Sequence, residues 1–329
     1  MRFRKLYLGV LAYGILGGVS WLTITRVLHN RDVVTQAQTL REQMVYVEGG
    51  AFQMGNYQIN YRRPDGTVTT IWAADFQPSE QRQVTLKSYY IAAYEVSYES
   101  YNTHLQAQGY PPLHTDNTIG YQQLDRAASV SFDEAKRFCA WAGEITELPM
   151  RLPTEAEWEF AARSRGQFVS WATNDGNYRP GENVVVSGDR DSSYKEINPP
   201  IGVFPPNPLG LYNLQDGLYE WVTGQPGFDP PGAAISKGGS NFSSRFYETI
   251  PRRGVHSPLS DAQFPAYESS LRGEALARHK RQDDPYSPIG GYIGIRCVAG
   301  VSDPPLDSGF GHIPAQDITL SPPFYGHQN

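Results

Sequence analysis

Apolar residues recur at helical spacing in two stretches near the middle of the chain. In the first, Ala135, Phe138, Cys139 and Ala142 lie at i, i+3, i+4 and i+7, which places them on one face of an α-helix. Residues 131–134 (SFDE) directly before them form a capping-box pattern, in which serine and glutamate satisfy backbone donors at a helix start. The sequence therefore predicts an amphipathic helix with Cys139 facing the core.

The second stretch repeats this logic. Residues 154–157 (TEAE) form another capping box, and Trp158, Ala161 and Ala162 follow as the apolar face. We interpret the glutamates of this helix as helix-dipole and surface partners rather than catalytic acids. Gly143 is predicted to end the first helix as its C-cap.

Shorter patterns predict the remaining elements. Alternating residues predict a strand at Met44–Val47, and short strands are expected at Val84–Ile91 and Tyr94–Val96. Tyr98–Gln108 is predicted to be helical. The polar segment Tyr57–Pro78 has no period and is predicted to be a surface loop. Brief strands, capped helices and long loops together indicate an α+β domain.

The amino terminus predicts a separate membrane element. Leu6–Thr25 is a run of 20 uncharged residues, long enough as a helix to cross a hydrocarbon core of about 30 Å. Arg2, Arg4 and Lys5 precede it, so the positive-inside rule keeps the amino end in the cytoplasm. We therefore predict a cytoplasmic tip and transmembrane signal anchor at residues 1–31 and a linker at residues 32–43. The following domain would lie in the periplasm or outside the cell; a cleaved signal peptide is the alternative.

Charge excludes one class of partner. Only 19 % of the 329 residues are charged, and residues 1–31 hold five basic and no acidic residues. The remainder carries 23 basic against 34 acidic residues, a net charge of −11. An acidic domain without a basic run or a phosphate-binding glycine loop is not expected to bind nucleic acid.

Six sequence strings in a fixed order carry a family resemblance. They are MVYVEGGAFQMG from Met44, YEVSYESY from Tyr94, RLPTEAEWEFAAR from Arg151, GLYNLQDGLYEW from Gly210, KGGSNF from Lys237 and GIRC from Gly294. In this order they resemble the formylglycine-generating enzyme, or sulfatase-modifying factor, family. The resemblance covers residues 44–300 and implies a C-type-lectin-like fold poor in regular secondary structure. Residues 301–329 are predicted to be a proline-rich tail.

The resemblance also shows what this chain lacks. Formylglycine-generating enzymes bind Cu(I) through two cysteines shortly after the Gly-Gly-Ser string, because soft thiolates select that ion. Counted without gaps from that string, the two positions hold Glu248 and Arg253. Neither side chain can replace a thiolate, so no copper is expected and the oxidase chemistry is predicted to be absent.

Calcium is the cofactor that the resemblance implies. Family members bind it through the acid of a W-E-W string and neighbouring carbonyls, which places one site at Glu220 and Asp216. A second site would fall on Asn183 and on Asp191 or Asp189. The alternative for Glu220 is a buried glutamate paired with an arginine beside an ordinary Asx turn.

The two cysteines of the chain, Cys139 and Cys297, lie 158 residues apart. In an oxidising compartment such a pair often forms a disulfide, although two buried thiols are the alternative. The resemblance favours the disulfide, since related enzymes carry a structural bridge at these positions.

Although the oxidase chemistry is predicted to be absent, the resemblance still implies a binding pocket. In the family this pocket holds an extended peptide. The residues predicted to line it are Ser240, Asn241, Tyr247, Glu248, Arg252 and Arg253. We therefore predict a membrane-anchored, non-catalytic domain that binds a protein or peptide, as a regulatory or assembly component of a bacterial envelope or secretion system. The alternatives are an altered oxidoreductase of the same superfamily, comparable to the branch that matures siderophore pigments, and an immunity or accessory protein for a secreted toxin.

Overall fold

The computed structural model describes residues 31–62, 67–72, 81–113, 123–185, 199–224, 229, 234–239, 249–251, 253–256 and 293–301. Its helices are α1 (31–42), α2 (Tyr98–Ala107), α3 (Phe132–Thr146) and α4 (Glu155–Ala162). Its strands are β1 (Met44–Val47), β2 (Gly50–Met54), β3 (Gln58–Arg62), β4 (Val68–Trp72), β5 (Arg82–Leu86), β6 (Tyr89–Ala92), β7 (Met150–Arg151), β8 (Tyr219–Thr223), β9 (Ala234–Lys237), β10 (Gly254–His256), β11 (Ile293–Gly294) and β12 (Val298–Gly300).

Two four-stranded sheets organise the described part of the chain. One has the order β1-β6-β12-β7 and is antiparallel throughout. The other has the order β10-β9-β8-β11, in which only β11 and β8 run parallel. Strands β11 and β12 are close in sequence but belong to different sheets, so the short GIRC segment between them joins the two.

Both capping boxes form as predicted. Ser131 Oγ accepts from the backbone N–H of Glu134, whose carboxylate accepts from the Ser131 N–H in return. Thr154 and Glu157 make the same reciprocal pair at the start of α4. Each pair satisfies two backbone donors that the first helical turn leaves without partners.

The predicted end of α3 at Gly143 is wrong. The helix continues to Thr146, and Glu147 ends it in a left-handed conformation with φ 56°. Gly143 serves close packing instead, since a Cβ there would lie 2.8 Å from the carbonyl oxygen of Leu148. A glycine near a helix end can therefore reflect a neighbouring backbone rather than a cap.

The chain before α2 also differs from the prediction. The expected strand at Val84–Ile91 is two strands, because the chain leaves the β2–β5 pair and enters the β1–β6 pair at residues 87–88. Tyr94–Val96 is not a strand, and the expected loop at Tyr57–Pro78 contains the β3–β4 hairpin. Threonine and aromatic residues fit such a two-stranded ribbon, although the periodicity of the segment is weak.

Helix α1 occupies the region predicted as a linker, and it packs on the domain. Leu40 is buried with α3 residues in one apolar cluster, and the Arg41 guanidinium donates to the carbonyl of Thr146. The predicted membrane anchor at residues 1–31 falls almost entirely outside the described residues. Among the helices that the structure describes, none has the length and apolar character needed to cross a bilayer.

Two apolar clusters form the core. The first surrounds the Cys139 face of α3 and includes Phe138, Trp141 and Trp221. The second lies beneath α4 and includes Trp158 and Phe160. Every side chain of α4 is buried, glutamates included, so its charges need partners inside the protein.

Candidate functional site

Arg253, one of the predicted pocket residues, forms a two-hydrogen-bond ion pair with the first residue of α4. Its Nε donates to Glu155 Oε1 at 2.8 Å and its Nη2 to Glu155 Oε2 at 2.9 Å. Nη2 also donates to Asp229 Oδ1 at 2.7 Å. Burial alone would lower the pKa of Arg253, but the two carboxylates outweigh it and raise the pKa, so the guanidinium stays charged.

The ion pairs continue inward from Glu155. The Lys237 ammonium, which has no exposed surface, lies 3.6 Å from Glu155 Oε1 and 3.1 Å from Glu159 Oε2. Glu159 Oε1 in turn accepts from Arg163 Nη1 at 3.0 Å. Arg163 is also fully buried and contacts the rings of Phe52, Tyr57 and Phe168.

Together these residues form an alternating chain of charges, named here the ion chain. It has three carboxylates and three cations, in the order Asp229, Arg253, Glu155, Lys237, Glu159, Arg163. Since each buried charge faces an opposite one, the chain is neutral overall and removing one member leaves another uncompensated. It joins β9 and the residue directly before β10 to α4.

The ion chain changes the interpretation of the α4 glutamates. Glu157 behaves as predicted, capping the helix and pairing with Arg151 at 2.7 Å. Burial alone would raise its pKa, but Arg151 and the Thr154 N–H hold the pKa below the ordinary value. Glu155 and Glu159 are not surface partners, which corrects that part of the prediction. The sequence did contain a signal for the burial of these two glutamates, because the residues of this helix other than its glutamates are all apolar.

The remaining predicted pocket residues lie outside the described residues. They are Ser240, Asn241, Tyr247, Glu248 and Arg252. The described backbone before them, Gly238 and Gly239, packs closely on residues 214 and 215; a Cβ at Gly239 would lie 2.4 Å from the carbonyl oxygen of Gln215. The pocket therefore stays a prediction, of which the structure places Arg253 alone.

Glu220, the predicted calcium ligand, is paired with Arg296. Arg296 Nε lies 3.0 and 2.9 Å from the two carboxylate oxygens, and Nη2 lies 2.7 Å from Oε1. Trp158 Nε1 donates to Oε2 at 2.6 Å. Glu220 and Arg296 have no exposed surface. This is the buried glutamate–arginine pair that the sequence left open as the alternative.

Two further acids lie beside this pair. Asp216, the other predicted ligand of the first site, is buried, and so is Glu95. Burial, followed by the charge of Glu220, raises the pKa of Glu95 well above its ordinary value, and Arg296 only partly offsets this. The carboxyl of Glu95 lies against Gly217 and Gly294, where a Cβ would approach it to 2.7 and 3.0 Å.

At the second predicted calcium site, the Asn183 side chain is hydrogen-bonded within its own loop, to residues 174–177. Its Nδ2 donates to Asn174 Oδ1, Asp175 Oδ1 and the Asn177 carbonyl at 3.1 to 3.2 Å. Asp191 and Asp189 lie outside the described residues. Within the described ranges, no three His, Cys, Asp or Glu side chains are grouped so as to hold a metal ion. Calcium at either site stays a prediction.

The predicted disulfide is confirmed. Cys139 and Cys297 are bonded, with a Cα–Cα distance of 5.7 Å, and they are the only two cysteines of the sequence. The bridge joins α3 to the segment between β11 and β12. No thiol is therefore left for another role while the bridge is intact.

These features define a mixed α/β domain whose two sheets meet at a GIRC segment, with α4 held by buried charges. Comparison with known protein families matches residues 29–300 to the sulfatase-modifying factor enzyme 1-like domain. The chain belongs to this family, as the six strings predicted.

The chain is also similar to individual proteins, two of which carry the formylglycine-generating enzyme name. The inactive C-alpha-formylglycine-generating enzyme 2 of Bos taurus is 38 % identical over 103 residues, covering 29 % of this chain and 32 % of that protein. The formylglycine-generating enzyme of Mycobacterium tuberculosis is 29 % identical over 204 residues, covering 57 % of this chain and 62 % of that protein. The serine/threonine-protein kinase pkn1 of Chlamydia caviae is 22 % identical over 84 % of this chain, which spans 41 % of the kinase.

Among solved structures, PvdO from Pseudomonas aeruginosa is similar in fold. Its TM-score is 0.51 at 21 % identity, covering 78 % of this chain and 94 % of PvdO. At this identity the likeness establishes the fold alone.

Proposed function

We propose that this chain is a non-catalytic member of the family that binds a protein or peptide partner as a regulatory or assembly component of a bacterial envelope or secretion system. The observation that carries the proposal is the ion pair of Arg253. At a position where the resemblance places a copper-binding cysteine, this chain has a guanidinium held by Glu155 and Asp229.

The cysteine count supports the same reading. The sequence has two cysteines and both belong to the disulfide, so no thiolate pair is available for Cu(I). The bovine relative that shares 38 % identity with part of this chain is itself named an inactive enzyme. A protein named as inactive is therefore found among the relatives of this chain.

The proposed location is the outer face of a cytoplasmic membrane, with the amino terminus as a signal anchor. Its support is the run of 20 uncharged residues at Leu6–Thr25, preceded by three basic residues. The disulfide is consistent with an oxidising compartment. Deletion of residues 1–31 should release the domain from the membrane fraction. Full-length protein recovered in the soluble fraction would contradict the predicted anchor.

The catalytic part of the proposal is tested by copper loading. Purified full-length protein is incubated with Cu(I), desalted, and assayed for metal and for oxidation of a cysteine-containing peptide to an aldehyde. An authentic formylglycine-generating enzyme run in parallel is the positive control. We expect neither stoichiometric copper nor aldehyde; either one would overturn the non-catalytic assignment.

The binding part needs a separate readout. A photocrosslinking amino acid is introduced at Tyr247 in the predicted pocket, and for comparison at Tyr110, which is 58 % exposed. Crosslinking in host cells should give one discrete adduct from position 247 that position 110 does not give. Identical or absent adducts at both positions count against the pocket as the binding surface.

A further inference from the structure

Helix α1 is held on the domain by few contacts. Within its described range it has one buried side chain, Leu40, and Val33 is partly buried against the same apolar cluster. Among the described residues, two side-chain hydrogen bonds join the helix to the rest of the domain. Gln36 Nε2 donates to Ser100 Oγ at 2.6 Å, and the Arg41 guanidinium donates to the carbonyl of the last residue of α3. So small a contact predicts that α1 opens at a lower free energy than the whole domain unfolds.

A cavity of about 780 Å³ separates much of this helix from the domain. Thr35, Gln36 and Thr39 line one side of it, so these positions of α1 face the cavity rather than closely packed side chains. The opposite wall includes Met150 and Cys297. Helix α1 therefore covers this wall without packing tightly against it.

The disulfide lies in the part of the core that α1 covers. Cys139, Cys297 and Leu40 belong to one apolar cluster. Cys297 lines the cavity and is 2 % exposed, whereas Cys139 has no exposed surface. Both cysteines are therefore shielded while α1 is in place, and Cys297 is the one that borders the cavity.

A thiol can reach such a buried disulfide by two routes. One is unfolding of the whole domain, and the other is local opening of the element that covers the bridge. Helix α1 buries a single apolar side chain, whereas α3, which carries Cys139, buries Phe138 and Trp141 among others. Because less apolar surface is exposed when α1 opens, this route requires the smaller free energy.

We propose that α1 is a lid over the Cys139–Cys297 disulfide, and that its opening alone lets a small thiol reductant reach the bridge in the otherwise folded domain. The attacking thiolate forms a bond to Cys297 Sγ, the S–S bond breaks, and Cys139 leaves as a thiolate that takes up a proton. A second thiolate attacks the reductant's sulfur in this mixed disulfide, and Cys297 leaves and is protonated in turn. The two thiols are oxidised to their own disulfide, and their two electrons reduce the bridge.

The lid makes the folded domain sensitive to thiol reductants. It rests on neither the membrane anchor nor the Arg253 region, since α1, the cavity and both cysteines lie within the described residues. Any contact that draws α1 away from the domain should speed reduction of the bridge.

The test measures how fast mercaptoethanol reduces the purified full-length protein under native conditions, by alkylation and mass spectrometry. Leu40→Ala should accelerate reduction at least about tenfold, because it removes the one buried side chain that holds the lid. Leu214→Ala is the matched control, since Leu214 is also buried but belongs to the other apolar cluster. It should change the rate less than about twofold. Equal acceleration by both substitutions, or no acceleration by Leu40→Ala, would overturn the proposal.

Urea supplies a measurement on the wild type that decides the question even where a variant fails to fold. Opening of one helix exposes little surface, so urea below the unfolding transition should raise the reduction rate only slightly. A rate that rises with the full urea dependence of the unfolding equilibrium would mean that reduction follows global unfolding, and the lid would be ruled out.

Single-cysteine variants test the direction of approach. Cys139→Ala, which leaves Cys297, should react with iodoacetamide at least about tenfold faster than Cys297→Ala, which leaves Cys139, because α1 alone has to open for the first. Equal rates or the reverse order would contradict attack at Cys297. Circular dichroism checks that each variant is folded.

Discussion

Arg253 and Glu155 are 98 residues apart in sequence, yet their side chains meet through two parallel hydrogen bonds of 2.8 and 2.9 Å. The pair joins the residue directly before β10 to the first turn of α4. Arg253 occupies a position where the family resemblance places a copper-binding cysteine. In this chain the geometry at that position is that of a structural ion pair.

Arg253→Ala should destabilise the protein strongly. The substitution leaves Glu155 and Asp229 buried without their cation, and breaking a buried pair in this way costs about 3–5 kcal/mol. Chemical denaturation measures the free energy of unfolding. Lys136→Ala, which removes a half-exposed partner of Asp133, is the control and should cost less than about 1 kcal/mol. Equal effects of the two substitutions would show that the ion chain has no special role in stability.

Glu95→Gln should stabilise the protein at neutral and higher pH. The folded state raises the pKa of Glu95, so it binds a proton that the unfolded chain has already released, and stability falls as pH rises above the unfolded-state value of about 4.3. Glutamine removes this titration while keeping the shape. The melting temperature of the variant should exceed that of wild type at pH 8, and the gap should close as pH falls toward 4. A gap independent of pH would contradict the assigned pKa direction.

Calcium is tested by removal. Because both oxygens of Glu220 accept from Arg296 or Trp158, calcium at this carboxylate would compete with donors already in place. We expect chelation with EGTA to change the melting temperature by less than about 1 °C, which is below the shift of roughly 1.5 °C that 1 kcal/mol would produce in a protein of 329 residues. A larger drop that added calcium reverses, and that Glu220→Gln abolishes, would establish the metal site at Glu220.

Reduction of the disulfide should destabilise the domain. Closing a loop of 158 residues contributes about 4–5 kcal/mol in the chain-entropy model. Wild type should therefore melt at a lower temperature with reductant than without it. Cys139→Ala/Cys297→Ala should melt at the same temperature in both conditions and supplies the control. A wild-type protein indifferent to reductant, with reduction confirmed by thiol titration, would contradict the expectation.

Local features were the part of this fold that could be predicted best. Both capping boxes, the strand Met44–Val47 and the core-facing position of Cys139 follow from residues within a few positions of one another. Helix ends were less predictable, since Gly143 near the end of α3 is required by the approach of Leu148 and not by the helix itself. The β3–β4 hairpin was missed because its strands stabilise one another by pairing, which weak periodicity does not reveal.

The sequence by itself determined the family, because six ordered strings specify it together, and it determined that the two copper-binding cysteines are missing. It also supplied both alternatives for Glu220 without a way to choose between them. Only the tertiary structure decided that Arg296, 76 residues away, is the partner of Glu220, and that Glu155 and Glu159 face inward to Arg253 and Lys237. The physical reason is that helix starts depend on neighbours in sequence, whereas the partner of a buried charge is set by which distant segments the sheets bring together.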